Sequence, residues 1–227
     1  QTKDKTVRHA LLIAVIAAAM LGGTVAQAYD AGDWIVRVGA SNVDPDDPNG
    51  SLLGLDVDVD DDTSVTFNGT YMWTKHVGIE LLAALPFEHD IELQGVGKVG
   101  STKHLPPTLS AQWHFLPDSR FQPYVGAGVN LTIFFDDEED GALKDIGGTL
   151  SINDETSVGL GAQIGADIMF NERWFVNFDV RYLDIDTEAE VTLPEGNPLT
   201  GEAAKVDVNV DIDPFVYGVH IGYRFGR

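Results

Sequence analysis

The chain has no cysteine. That excludes a disulfide framework, thiol nucleophiles and thiolate metal sites. Basic residues are scarce: 14 Lys and Arg stand against 36 Asp and Glu, for a formal net charge of −22. Binding a phosphate backbone takes clustered Lys and Arg, so nucleic acid is excluded as a partner. Beyond residue 28 there is no apolar run of the ~20 residues that a transmembrane helix needs. Long helical patterns are missing there too. What remains is a chain of 227 residues, 24 of them glycine, in which apolar and polar residues alternate over long stretches. Such a length suits one mid-sized barrel with a substantial interior.

The first 28 residues read as a targeting segment. Lys3, Lys5 and Arg8 make a basic start, and Ala10 to Leu21 is an apolar run too short to span a bilayer. Ala26-Gln27-Ala28 is a small-x-small cleavage site. A signal peptide is therefore expected over 1–28, with residues 29–227 forming one domain. Cleavage removes Lys3, Lys5 and Arg8 but only Asp4 among the acids, so the mature chain is more acidic still.

Eight stretches carry the period-two pattern of strands. They are Trp34–Val43, Val65–Trp73, Val77–His89, a stretch ending at Phe115, Phe121–Phe135, Val158–Phe170, one starting at Trp174 and one closing at Phe225. On the third, Ile79, Leu81, Ala83, Leu85 and Phe87 lie opposite Glu80, Leu82, Ala84, Pro86 and Glu88. Short turns (Thr74–His76, Pro117–Arg120, Asn171–Arg173) alternate with long loops (Asp44–Asp62, Gln94–Ser101, Asp136–Glu155, Pro194–Glu202). Aromatics such as Trp34, Trp73, Trp113, Trp174 and Phe225 sit at strand ends. Each strand reaches about the 9–11 residues a tilted strand needs to cross a membrane. The expected fold is all-β: an eight-stranded antiparallel transmembrane β-barrel with short periplasmic turns and long extracellular loops. Alternation alone would equally suit a soluble sandwich or a lipocalin-like barrel. The leader, the aromatic belts and the loop asymmetry favour the membrane.

Lys103 to Phe115 is unusual among these stretches. Leu105, Pro107, Leu109, Ala111, Trp113 and Phe115 share one face; His104, Pro106, Thr108, Ser110, Gln112 and His114 share the other. Two adjacent prolines sit inside it, and proline cannot donate to a sheet ladder.

His104-Leu105-Pro106-Pro107-Thr108, followed by Gln112-Trp113-His114-Phe115, resembles the signature of the outer membrane protein W (OmpW) family, which includes AlkL-type importers of hydrophobic compounds. So do Glu80 to Ala84 with Pro86-Phe87, Pro123 to Gly128, Tyr182 to Thr187, and Gly222-Tyr223-Arg224-Phe225. The similarity runs in order from Ala31 to Phe225. It implies an eight-stranded barrel in the outer membrane of a Gram-negative cell, passing small hydrophobic compounds. Such barrels usually finish on an aromatic residue, whereas here Gly226 and Arg227 follow Phe225.

Strand parity then divides the inward face. Arg37, Glu80, Gln112, Asp167, Asp179, Arg181 and Arg224 are expected near the periplasm as a paired polar plug, because eight strands leave room for little beyond side chains. Toward the outside, Leu82, Ala84, Leu183, Ile185, Val206, Val208, Val210 and Ile212 are expected to line a hydrophobic bore, with Pro86 also pointing inward. A one-residue bulge near Pro214 would invert this reading of the last strand. Pro86, Pro106 and Pro107 remove three ladder donors at about one level, which suggests a lateral opening between strands three and four. The expected function is passive uptake of small hydrophobic molecules, which enter the bore and leave sideways into the bilayer. The expected partners are those solutes, outer-membrane lipid and lipopolysaccharide, and the barrel is expected to work as a monomer.

A structural or receptor barrel without transport is the alternative. An enzyme is disfavoured: Ser110 and His114 lie four apart on one strand, about 13 Å, too far for a nucleophile and its base. Asp56, Asp58, Asp60, Asp61 and Asp62 lack the spaced glycine and terminal Glu of a calcium loop. No metal and no cofactor is expected.

Overall fold

The computed structural model describes residues 29–226 except Asp47 and Leu199. The leader expected over 1–28 lies outside the described residues.

The described strands are β1 (Trp34–Asp44), β2 (Gly50–Leu52), β3 (Leu55–Val59), β4 (Asp62–Met72), β5 (Val77–Ala84), β6 (Phe87–Leu93), β7 (Gly97–Leu105), β8 (Thr108–His114), β9 (Phe121–Glu139), β10 (Thr149–Ile152), β11 (Thr156–Met169), β12 (Trp174–Leu183), β13 (Asp186–Leu193), β14 (Ala204–Asp211) and β15 (Phe215–Phe225). A short helix, α1 (Gly141–Asp145), is capped by the Asp140 carboxylate, which accepts from the Gly141 N–H.

Eight strands close a barrel in the order β1-β4-β5-β8-β9-β11-β12-β15. β15 returns to β1 with Trp34 opposite Phe225, and every pair is antiparallel. The faces are inverted relative to a soluble barrel. Leu160 is 69% exposed and Leu109 57%, whereas Arg37, Glu80 and Asp167 are fully buried. Only a barrel whose outside meets lipid is arranged this way. Trp34, Trp73, Trp113 and Trp174 are exposed at the short-turn end, as an interfacial belt requires. Glycine makes the narrow lumen possible at Gly222, where a Cβ would lie 2.0 Å from the Phe175 ring.

Above the barrel the wall continues as a sleeve. β9 carries on into the order β9-β7-β6-β3-β2, and β10-β13-β14 form a separate small sheet. The two meet where Asp211 N–H donates to Asn49 O at 2.8 Å. Much of the sleeve falls where the sequence reading placed loops: Asp44–Asp62 holds β2 and β3, Gln94–Ser101 the start of β7, and Asp136–Glu155 the end of β9, α1 and β10. The physical reason is local. In Leu55-Asp56-Val57-Asp58-Val59 the valines are buried and the acids half-exposed, so a run rich in aspartate still alternates as a strand.

One expectation is corrected on the third barrel strand. Pro86 is exposed, and Phe87 and His89 turn inward instead, so alternation slips at Leu85-Pro86. Leu82 opposes Thr108 and Phe87 opposes His104, which gives five steps on one strand against four on the other. The extra residue reverses the pleat. At Pro214 no inversion occurs: Ile212 and Val216 are both buried.

Candidate functional site

The lower lumen is a connected set of buried charges. The Arg37 guanidinium donates to both Asp167 oxygens, Nη2 at 2.7 Å and Nε at 3.1 Å. Its Nη1 reaches Asn68 at 3.1 Å, Thr70 at 3.0 Å and Glu80 at 3.4 Å. Glu80 is shared. Its Oε1 accepts from Arg181 Nη1 at 2.7 Å and Gln163 Nε2 at 3.1 Å, and its Oε2 from Gln112 Nε2 at 2.9 Å. Arg181 Nε also donates to Asp179 at 2.9 Å, and His220 Nδ1 lies 3.3 Å from the other Asp179 oxygen. Arg37, Glu80, Gln112, Asp167, Asp179 and Arg181 thus converge. Arg224 pairs with Asp33 at 2.6 Å nearer the base. Buried charges this dense persist only when each is paired and hydrogen-bonded.

Tyr29 caps this network, and the sequence reading missed it. Its hydroxyl donates to Asp167 at 2.7 Å, and its ring packs edge-on against Phe175 and His114. With Ile35, Met72, Met169 and Phe175 it forms a small apolar floor. Nothing in the local sequence marks a residue just outside the first strand as buried.

The upper lumen is apolar. Leu82, Leu183, Ile185, Val208, Val210 and Ile212 are buried in one cluster with Phe87, Leu93 and Phe134, and Ala84 and Val206 pack against its edge. Two cavities share Leu52, Leu93, Val99 and Val191 as walls. The distal one, about 310 Å³, also touches Leu143 and Ile146 beside α1. The inner one, about 40 Å³, touches His89, His104 and Phe134. These rings are stacked: Phe87 on His104 at 5.5 Å, and His104 on His89 at 4.8 Å with 4° between planes. Burial holds both imidazoles below the usual histidine range, His104 down to about 3.

The seam lies between these zones. Leu82–Thr108 is the last ladder pair of β5 with β8, and Phe87–His104 the first of β6 with β7. Among the described residues no pair joins Ala83–Pro86 to Leu105–Pro107. Carbonyls beside the break have partners on the flanking strands. Pro107 O accepts from Leu131 N–H at 2.9 Å, Pro106 O from Asn130 Nδ2 at 3.3 Å, and Leu85 O and Pro86 O from Ser64 Oγ at 3.2 and 3.1 Å.

A model of the OmpW family matches residues 30–225. The chain belongs to the OmpW family. Outer membrane protein W of Escherichia coli (strain K12) is 40% identical over 219 residues, covering 95% of this chain and 99% of that one. Outer membrane protein AlkL of Ectopseudomonas oleovorans is 29% identical over 208 residues, covering 87% and 84%. The crystal structure of the outer membrane protein OprG from Pseudomonas aeruginosa matches with a TM-score of 0.79 and 38% identity, over 88% of this chain and 99% of that one. The chain is thus an outer-membrane barrel, as the motif resemblance implied.

In this OmpW-family barrel the acidic clusters lie outside the lumen. Asp61 accepts from Asn42 Nδ2 at 2.7 Å and Asp62 from Glu88 N–H at 2.9 Å, so both serve the sleeve's own folding. The carboxylates of Asp184, Asp186 and Asp213 lie within 4.8 Å of one another where β12 bends into β13. Burial and these neighbouring acids raise the Asp186 carboxyl.

Proposed function

We propose that this barrel takes up small hydrophobic solutes passively, as a single chain. A solute enters beside α1, occupies the Leu- and Val-lined sleeve, is stopped by the charged network, and leaves through the seam into the bilayer. The observation that carries this reading is the reversal of lumen polarity between Leu82 and Glu80, neighbours on one face of β5. The sleeve lowers the free energy of an apolar solute by about 25 cal/mol per Å² buried. The lower route would require separating buried ion pairs, at several kcal/mol each. The sideways route meets a wall already lacking the donors of Pro86, Pro106 and Pro107. Both ends of that route are apolar, so a solute crosses it without rehydrating.

Pro106→Val combined with Pro107→Thr restores two donors with strand-forming side chains. In vesicles reconstituted with this variant, uptake of a hydrophobic tracer is expected to slow against the unsubstituted chain, with binding to the sleeve retained. Unchanged uptake would overturn the lateral exit.

A further inference from the structure

Resting on that reading, we infer that the sleeve selects hydrophobic solutes bearing one neutral hydroxyl group, an alkanol or a phenol, over bare hydrocarbons, with His89 and His104 as the specificity-determining residues. The two rings are 2% and 1% exposed and both line the inner cavity. His89 Nδ1 lies 2.6 Å from Asp60 O. A carbonyl only accepts, so Nδ1 carries the proton and Nε2 is left as an acceptor. That Nε2, and both ring nitrogens of His104, have no hydrogen-bond partner among the described residues. The neutral His104 ring offers one donor and one acceptor. Burial keeps both rings out of the charged form at neutral pH.

Three unpartnered nitrogens at the end of a greasy column are costly unless a ligand or a water meets them. A hydroxyl both donates and accepts, so it complements His89 Nε2 and the His104 N–H together. A carboxylate only accepts, which leaves His89 Nε2 bare. It must also approach a chain of net charge −22. A bare hydrocarbon meets none of the nitrogens. Size agrees with this division. The inner cavity of about 40 Å³ admits a hydroxyl and its carbon, and the adjoining one of about 310 Å³ receives the apolar body. The Phe87–His104–His89 stack holds the imidazoles in place before the solute arrives.

The test uses the chain in lipid nanodiscs, with empty nanodiscs correcting for partition into lipid. Naphthalene, 1-naphthol and 1-naphthoate are titrated by their own fluorescence, against the unsubstituted chain, His104→Phe and His89→Phe. Phenylalanine keeps the ring stack and removes the nitrogens. We expect 1-naphthol to bind at least about tenfold tighter than naphthalene, the preference to fall in both variants, and naphthalene binding to persist. If one variant fails to fold, the other carries the comparison. A preference near one in the unsubstituted chain, an unchanged preference in the variants (a resident water only), or tightest binding of 1-naphthoate would each overturn the assignment. Naphthalene binding without a hydroxyl preference leaves the uptake reading standing. Failure of both naphthalene and 1-naphthol to bind sinks the two together.

Discussion

Glu80→Ala is expected to lower the unfolding free energy of the barrel by about 3–5 kcal/mol, the usual cost of removing one partner from a buried charge network. Glu80 sits between Arg37 and Arg181 and also takes the amides of Gln112 and Gln163. Without it, Arg37 keeps Asp167 and Arg181 keeps Asp179, so four acceptor contacts vanish while both cations stay buried. Equilibrium urea unfolding in lipid vesicles measures the loss. Glu80→Leu with Arg181→Met and Asp179→Leu removes Arg181 together with both of its carboxylates, leaves Arg37 paired with Asp167, and should recover part of the stability, since apolar replacement of a whole buried ion group is often neutral. If Glu80→Ala unfolds like the unsubstituted barrel, the lower lumen is wet rather than a dry plug.

Val191→Trp should have the largest effect on uptake. Val191 is 6% exposed and forms a wall of both cavities. An indole there occupies the volume in which a solute would rest. Displacing even ~60 Å² of solute contact costs about 1.5 kcal/mol, a factor of about ten in occupancy. Tracer uptake into vesicles should fall by at least about that factor. The charged network lies below and is untouched, so barrel stability should shift only by the overpacking cost of about 1–3 kcal/mol. Full uptake with Val191→Trp would place the solute path elsewhere.

The lower half of the molecule was legible because one rule governs it. Lipid outside and charges inside force unbroken parity along β1, β4, β8 and β15, so Arg37, Gln112 and His220 could be assigned inward from alternation alone. Three features were not legible, two in the sleeve and one at the base. In β3 valine alternates with aspartate, a composition that equally suits an exposed loop. The extra residue at Leu85-Pro86 reversed Phe87 and His89, which no single-strand pattern reveals, because register belongs to the pair. Tyr29 is held by contacts with Asp167 and Phe175, far away in sequence. Parity alone put Leu82, Leu183 and Ile185 on the inner face, where they join one cluster. That cluster's histidine stack became visible only once β6 and β7 were paired.

The most direct measurement is where a hydrophobic solute sits. A diazirine-bearing apolar probe, photolysed with the chain in nanodiscs and mapped by mass spectrometry, reports the lining it touches. Adducts at Val208, Val210 and Ile212, with none at His114 or Asn177 below, are the predicted result. Adducts at His114 or Asn177, or none in the sleeve, would contradict a lumen that is oily above Glu80 and closed beneath it.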